Sequence, residues 1–264
     1  MKSKKRIKKP TPNSKKKQEL AGSRVKIRFK KHLLPPLAGL AVAILVFGFF
    51  NSQLLSGKIA YYLYDRNLNV DSLNSQLSGS PVDKNAPPKI IINDINVKAP
   101  IVFDVQTVNE GLFQKALRNG VVHYPGTAQP GQTGNVVIFG HSSGQWWAPG
   151  DYKFIFTHLD KLQQEDKVFV EYQGVRYIYK IFGISVVKPT DLSVLNQGSS
   201  NILTLITCTP VGTATNRLII KAQQIVPNVS NNRGFDQAAQ RPAQAQGALP
   251  SNSAPFWRDF LNLF

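Results

Sequence analysis

The chain is poor in the residues that most often announce a protein's chemistry. Among 264 residues there are one cysteine, one methionine, three tryptophans and four histidines. A lone cysteine has no intramolecular disulfide partner, and one Cys with scattered His gives no zinc-ligand spacing. No clustered acids suggest a calcium site, so neither a metal nor a cofactor is expected. Acids are scarce throughout, with 15 Asp or Glu against 32 Lys or Arg, for a net charge of +17. The excess is confined to one end. Residues 1–31 carry fourteen Lys or Arg and a single acid, Glu19, which leaves +4 on the remaining 233 residues. In a soluble protein such a block points to nucleic acid. Here it runs into an uncharged stretch, Leu33–Phe50. Beside a membrane span, topology and attraction to anionic lipid explain the same charge. Membrane lipid is therefore the expected partner, and nucleic acid is not.

With Asn51–Leu55, that stretch approaches the roughly 20 residues needed to cross a bilayer. A cleaved signal peptide is the rival reading, because Leu37–Phe50 is near the length of its apolar region. The long basic segment and the lack of a clear small-x-small cleavage site favour an uncleaved anchor. Lys and Arg ahead of the span place the N-terminus in the cytoplasm and the chain beyond the span outside the cell. The expected organisation is a basic cytoplasmic tail at 1–32, a signal anchor at 33–55, a juxtamembrane stalk or linker at 56–88, a compact domain at 89–227 and a low-complexity tail at 228–264. The tail ends in an apolar-aromatic segment, Phe256–Phe264. That segment either docks on a membrane or partner, or closes back on the domain.

Within 89–227 the pattern is that of short strands. Lys89–Asn93 and Val97–Val105 are β-branched runs, and Thr107-Val108-Asn109-Glu110 matches a capping box in which the Thr hydroxyl and Glu carboxylate satisfy free amides at a helix start. Val108, Leu112, Phe113, Ala116 and Leu117 then recur at helical spacing until Asn119-Gly120. Val136–Phe139 is apolar without alternation, which predicts a strand buried on both faces. Val168–Tyr172 and Val175–Val187 predict a hairpin at Gln173-Gly174, with a bulge or bend at Gly183. About eight strands with short turns and one clear helix predict a closed or nearly closed β-barrel.

Two strand ends carry the candidate chemistry. Cys208 ends the run Ile202–Thr207 on the lip of a turn marked by Pro210 and Gly212, and His141 lies just past Asn135–Gly140. A lone Cys is more often a small buried hydrophobe than a nucleophile, and a nucleophilic one needs a partner to form the thiolate. Of the other histidines, His32 precedes the anchor, His158 falls in a helical-looking stretch, and His123 lies in a turn where a structural hydrogen bond is expected. Arg217, in the next apolar run, returns to the same place if the two runs pair. It is then a donor for a developing oxyanion; otherwise it is a strand Arg paired with an acid such as Glu171.

Thr204-Leu205-Ile206-Thr207-Cys208 with Arg217 resembles the TLxTC…R signature of sortases, membrane-anchored cysteine transpeptidases of bacterial surfaces. The resemblance spans about residues 89–226 and includes His123–Thr127 and Gly134–His141. It implies an eight-stranded sortase-type β-barrel with one or two short helices. It also implies Cys208 as nucleophile, His141 as general acid/base, Arg217 as oxyanion-stabilising residue, and Thr207 and Thr209 as substrate contacts. The implied reaction cleaves an LPxTG-like sorting signal of surface proteins through a thioacyl-enzyme. The acyl group then passes to an amine acceptor, a cell-wall precursor or a pilin lysine. Cys208-Thr209-Pro210 with Gly212, Thr215 and Arg217-Leu218 is similar to the pilin-polymerising class C pattern, but that class's Asp-Pro-aromatic tripeptide is absent. An anchoring role as in classes D and E stays open. So do a non-catalytic, membrane-tethered β-barrel that binds a peptide or wall polymer, and a hydrolase that uses water as acceptor.

Overall fold

The computed structural model describes residues 35–49, 70–105, 107–144, 149–235 and 247–251. Two compact units are separated at Ser52/Gln53. In the first, residues 35–49 are helical, and among the described residues no helix is long and apolar enough to cross a membrane. The rest of the expected span, the Trp146-Trp147 pair and the Phe256–Phe264 segment lie outside the described residues.

The second unit is a closed barrel. Its strands are β1 (Lys89–Ile92), β2 (Val97–Val102), β3 (Val121–His123), β4 (Gly134–Phe139), β5 (Lys167–Tyr172), β6 (Val175–Val187), β7 (Asn201–Thr209) and β8 (Asn216–Val226). They close in the order β1-β2-β3-β4-β7-β8-β6-β5. The β2–β3 and β4–β7 pairs are parallel and the others antiparallel. Parallel neighbours require a crossover. Between β2 and β3 it holds the helix α2 (Glu110–Leu117), and between β4 and β7 it holds the β5–β6 hairpin. The expectation of an eight-stranded barrel is met.

Side-chain alternation divides the apolar residues into two layers. Val136, Ile138, Leu203, Leu205 and Ile220 fill the barrel interior. Val137, Phe139, Ile206 and Ile219 point outward and are covered by Phe113 and Leu117 of α2. Both faces of β4 are therefore buried, which is why its sequence reads as an unbroken apolar run. The β5–β6 turn has positive φ at Gln173 and Gly174, 50° and 77°, the geometry of a two-residue hairpin whose twist matches its strands. β6 changes register between Ile181 and Gly183, so the bend expected at Gly183 is present.

Two local readings are corrected. The cap of α2 is Asn109, whose side chain accepts from the Gly111 and Leu112 amides. Thr107 instead accepts from the Asn109 amide at 3.4 Å, so the helix starts later than the capping-box pattern implied. His123 ends β3 rather than sitting in a turn. The juxtamembrane stretch contains a helix, α1 (Val70–Gly79), and Leu77 packs against Ile91, Phe169 and Ile178 of the barrel. Arg176 holds it there by donating to the Leu77 and Ser80 carbonyls while pairing with Glu171. Glu171 also accepts from Lys89 at 2.6 Å. Burial alone would raise its pKa, but these two cations outweigh it and hold the carboxyl below its usual range.

His123 has a structural role. Its Nε2 donates to the Ala128 carbonyl at 2.8 Å, and its ring stacks on Phe103. Burial lowers its pKa from 6.5 to about 4, although the Ala128 hydrogen bond opposes the shift. The unfolded chain therefore binds a proton that the folded one refuses as pH falls from 6.5 toward about 4, and stability is lost across that window. The shift corresponds to roughly 3 kcal/mol. Denaturant unfolding at the two ends of the window is expected to show this loss. It should be reduced by about the same amount in a folded His123→Gln variant, whose amide retains a donor for Ala128.

Candidate functional site

The site follows from the register of β7. Phe139 of β4 lies beside Ile206 of β7, and the Gly140 amide continues the ladder by donating to the Ile206 carbonyl at 3.1 Å. Continued two residues past the end of β4, this register would bring His141 level with Cys208. On the other side of β7, Cys208 is directly opposite Arg217 of β8. Val137, Phe139, Ile206 and Ile219 all face the outer layer. The period of two puts Cys208 and Arg217 on that same face, and the register continued through Gly140 extends the row toward His141, just past the end of β4. Neighbouring strands lie about 4.8 Å apart. Cys208 and Arg217 are thus brought face to face, His141 lies just past the end of the neighbouring strand, and all three are nearly sealed from solvent: Cys208 is 1%, Arg217 2% and His141 8% exposed.

The end of β4 is fixed by contacts around Gly140. The Thr207 hydroxyl donates to the Gly140 carbonyl at 2.7 Å, and the His141 carbonyl accepts from the Phe156 amide at 2.9 Å. The Phe156 ring lies against Gly140 so closely that a Cβ there would sit 2.4 Å from it. Only glycine fits before the histidine. The Thr157 hydroxyl donates to the Ser142 carbonyl at 2.6 Å. Ser143 accepts from the Gly212 amide at 3.0 Å, tying the loop after His141 to the β7–β8 turn. A cavity of about 170 Å³ opens at Cys208, bordered also by Ser142, Thr157, Thr207, Thr209 and Leu218. Thr207 and Thr209, expected as substrate contacts, both line it. Thr207 is itself 1% exposed, with its hydroxyl engaged by Gly140.

Arg217 does not pair with Glu171, as one reading of the sequence had it. Its Nη1 donates to the Ala214 and Asn216 carbonyls at 2.9 and 3.0 Å. Its Nε donates to Pro250 at 3.0 Å and its Nη2 to Leu249 at 3.1 Å. A buried guanidinium satisfied by neutral carbonyls keeps its charge for a nearby anion, whereas one neutralised by a carboxylate would not. The row therefore offers a thiol, an imidazole beside it and a cation across from it. That set suits formation and collapse of a tetrahedral intermediate at a carbonyl. Among the described residues there is no group of three His, Cys, Asp or Glu able to hold a metal ion.

The contacts made by Leu249–Ser251 and the Ser143–Gly212 tie were not foreseen. Leu249-Pro250 is an apolar pair inside an Ala, Gln, Asn and Ser-rich tail, and composition alone hides it.

The chain is similar to known proteins. Residues 90–225 match the model of the sortase domain family. Sortase D of Bacillus subtilis is 26% identical over 159 residues, covering 59% of this chain and 72% of that protein. Sortase SrtE1 of Streptomyces coelicolor is 30% identical over 137 residues, covering 46% of this chain and 37% of that one. A solved structure of a Clostridium perfringens Sortase D5 transpeptidase is 28% identical, with a TM-score of 0.43, covering 60% of this chain and 90% of that one.

The Thr207–Gly140 hydrogen bond yields a direct test. Thr207→Val keeps the shape but leaves a buried carbonyl unpaired, at a cost of about 1–3 kcal/mol. It is expected to lower the thermal midpoint and to slow modification of Cys208 by peptide substrates, while Thr207→Ser restores both. Equal behaviour of the Val and Ser variants would remove the hydroxyl from the account.

Proposed function

The chain belongs to the sortase family, and on that premise we propose that it is a membrane-anchored cysteine transpeptidase that recognises an LPxTG-like sorting signal on surface proteins. The observation that carries this reading is the cross-strand pair of Cys208 on β7 and Arg217 on β8, with His141 two residues past the end of the neighbouring β4. In the proposed cycle the Cys208 thiolate attacks the carbonyl of the Thr–Gly peptide bond. Arg217 donates to the oxygen as negative charge develops on it. The intermediate collapses when His141 protonates the departing glycine amine, leaving a thioester on Cys208. An acceptor amine, on a cell-wall precursor or a pilin lysine, loses a proton to His141 and attacks the thioester. A second tetrahedral intermediate then releases the thiolate. One difficult exchange becomes two easier ones.

In the same proposal residues 33–55 form the anchor and residues 1–32 stay in the cytoplasm. The barrel at 89–227 then works outside the cell, where the sorting signals and amine acceptors are found. Arginine suits the oxyanion position because it remains charged throughout, so His141 is left to carry every proton.

The test uses the full chain in detergent with a set of LPxTG-like peptides, with and without triglycine. Cys208 is the only cysteine, so an acyl adduct detected by mass spectrometry has one possible thiol site, and Cys208→Ala should abolish it. An adduct that triglycine resolves into a ligated product supports the reading. Resolution by water alone makes the protein a hydrolase. A folded protein with a reactive thiol that forms no adduct, even with peptides from its own host's surface proteins, would make it a binding module.

A further inference from the structure

The segment Leu249–Ser251 has every main-chain polar group engaged by the barrel. The Leu249 amide donates to the Pro189 carbonyl at 2.8 Å. The Leu249 and Pro250 carbonyls accept from Nη2 and Nε of Arg217. The Ser251 amide donates to Glu110 Oε1 at 3.4 Å, and the Ser251 carbonyl accepts from Gln114. Between these bonds the Leu249 side chain, 2% exposed, packs with Val194, Ile206, Ile219 and Phe113. This is how a protein holds a peptide: main-chain hydrogen bonds along its length and one apolar anchor in a pocket. The place is the outer face of β7 and β8 that also carries Cys208.

From this geometry we propose that Leu249–Ser251 is a built-in occupant of the peptide groove, so that the described conformation is self-blocked and the segment must release Arg217 Nε before a substrate carbonyl can take it. The inference rests on the peptide-transfer reading for what the groove normally takes. Arg217 divides its donors among four carbonyls, two of them from this segment. A substrate carbonyl can take Nε only by replacing Pro250, whereas at Nη2 it meets a nitrogen already donating one of its two N–H groups to Leu249. The two occupants therefore compete for Nε. Leu249-Pro250 also begins as the sorting signal proposed above begins, while Ser251-Asn252-Ser253 supplies no Thr–Gly bond to cleave. Being part of the same chain, the segment competes at an effective concentration on the order of millimolar. An incoming peptide therefore binds with an affinity reduced by the fraction of molecules that are open.

The test compares the full chain in detergent with its Leu249→Glu variant. Binding of a fluorescent synthetic peptide of residues 245–253 is read by anisotropy, which needs no turnover. If about a tenth of the molecules are open, the variant binds the peptide about tenfold more tightly, and the KM for an LPxTG-like peptide falls by a similar factor. Gln114→Ala, which removes the donor to Ser251 together with an exposed hydrogen bond to Glu110, shifts both in the same direction to a smaller extent and serves if Leu249→Glu does not fold. Equal binding to both proteins, or binding to neither, overturns the proposal. So does a raised KM in a folded variant, because the segment would then be a wall of the groove. Unmasked peptide binding without any acyl adduct would sink the transfer reading and keep the strap.

Discussion

The pairing of β7 with its two neighbours is the constraint on which the rest depends. A slip of one residue would turn every side chain of the strand to the opposite face and send Cys208 into the barrel interior. Several contacts forbid it. The Thr204 hydroxyl donates to Asn135 Oδ1 at 2.7 Å, the Asn135 amide group donates to the Val194 carbonyl at 2.9 Å, and Thr207 grips Gly140. Polar groups buried between two apolar layers are costly to leave unpaired, so these bonds select one register over its neighbours. The same Asn135 fixes the loop that carries Pro189 and Val194, against which Leu249 is held. Register, loop and groove are therefore one structure.

Two buried ionic centres have different partners and different consequences. Glu171 sits between Lys89 and Arg176, and through Arg176 it secures α1 to the barrel. Its partners are full charges, the arrangement is closed, and removing one member would strand the others. Arg217 is surrounded by carbonyls, which are replaceable by another carbonyl or by an oxyanion. The first centre supports the fold. The second is suited to exchange partners during a reaction.

The barrel was legible in the sequence because its strands are short, β-branched and separated by strong turn residues, and because β4, buried on both faces, lacks alternation. His141, Cys208 and Arg217 were legible because each stands at or next to the end of an apolar run, where a side chain can leave the core. What escaped was long-range and polar. Whether Thr107 or Asn109 caps α2 depends on which side chain reaches the free amides, and both are good capping residues. The docking of α1 depends on Arg176, 96 residues from Ser80. The strap at Leu249 is invisible because one leucine among Ala, Gln and Ser has no periodicity. Only the groove that receives it gives it meaning.

Cross-strand trapping tests the central claim most directly, because Cys208 is the sole native thiol. Disulfides need Cα atoms about 4.4–6.8 Å apart with their Cβ vectors converging. Cysteine is introduced singly as His141→Cys, Arg217→Cys or Leu218→Cys, and each chain is mildly oxidised and its intact mass measured. The account predicts an intrachain bridge to Cys208 from positions 141 and 217, and none from 218, whose side chain faces the barrel interior. A bridge from position 218 with none from 217 would place Cys208 on the other face of β7 and contradict the arrangement from which the chemistry is derived.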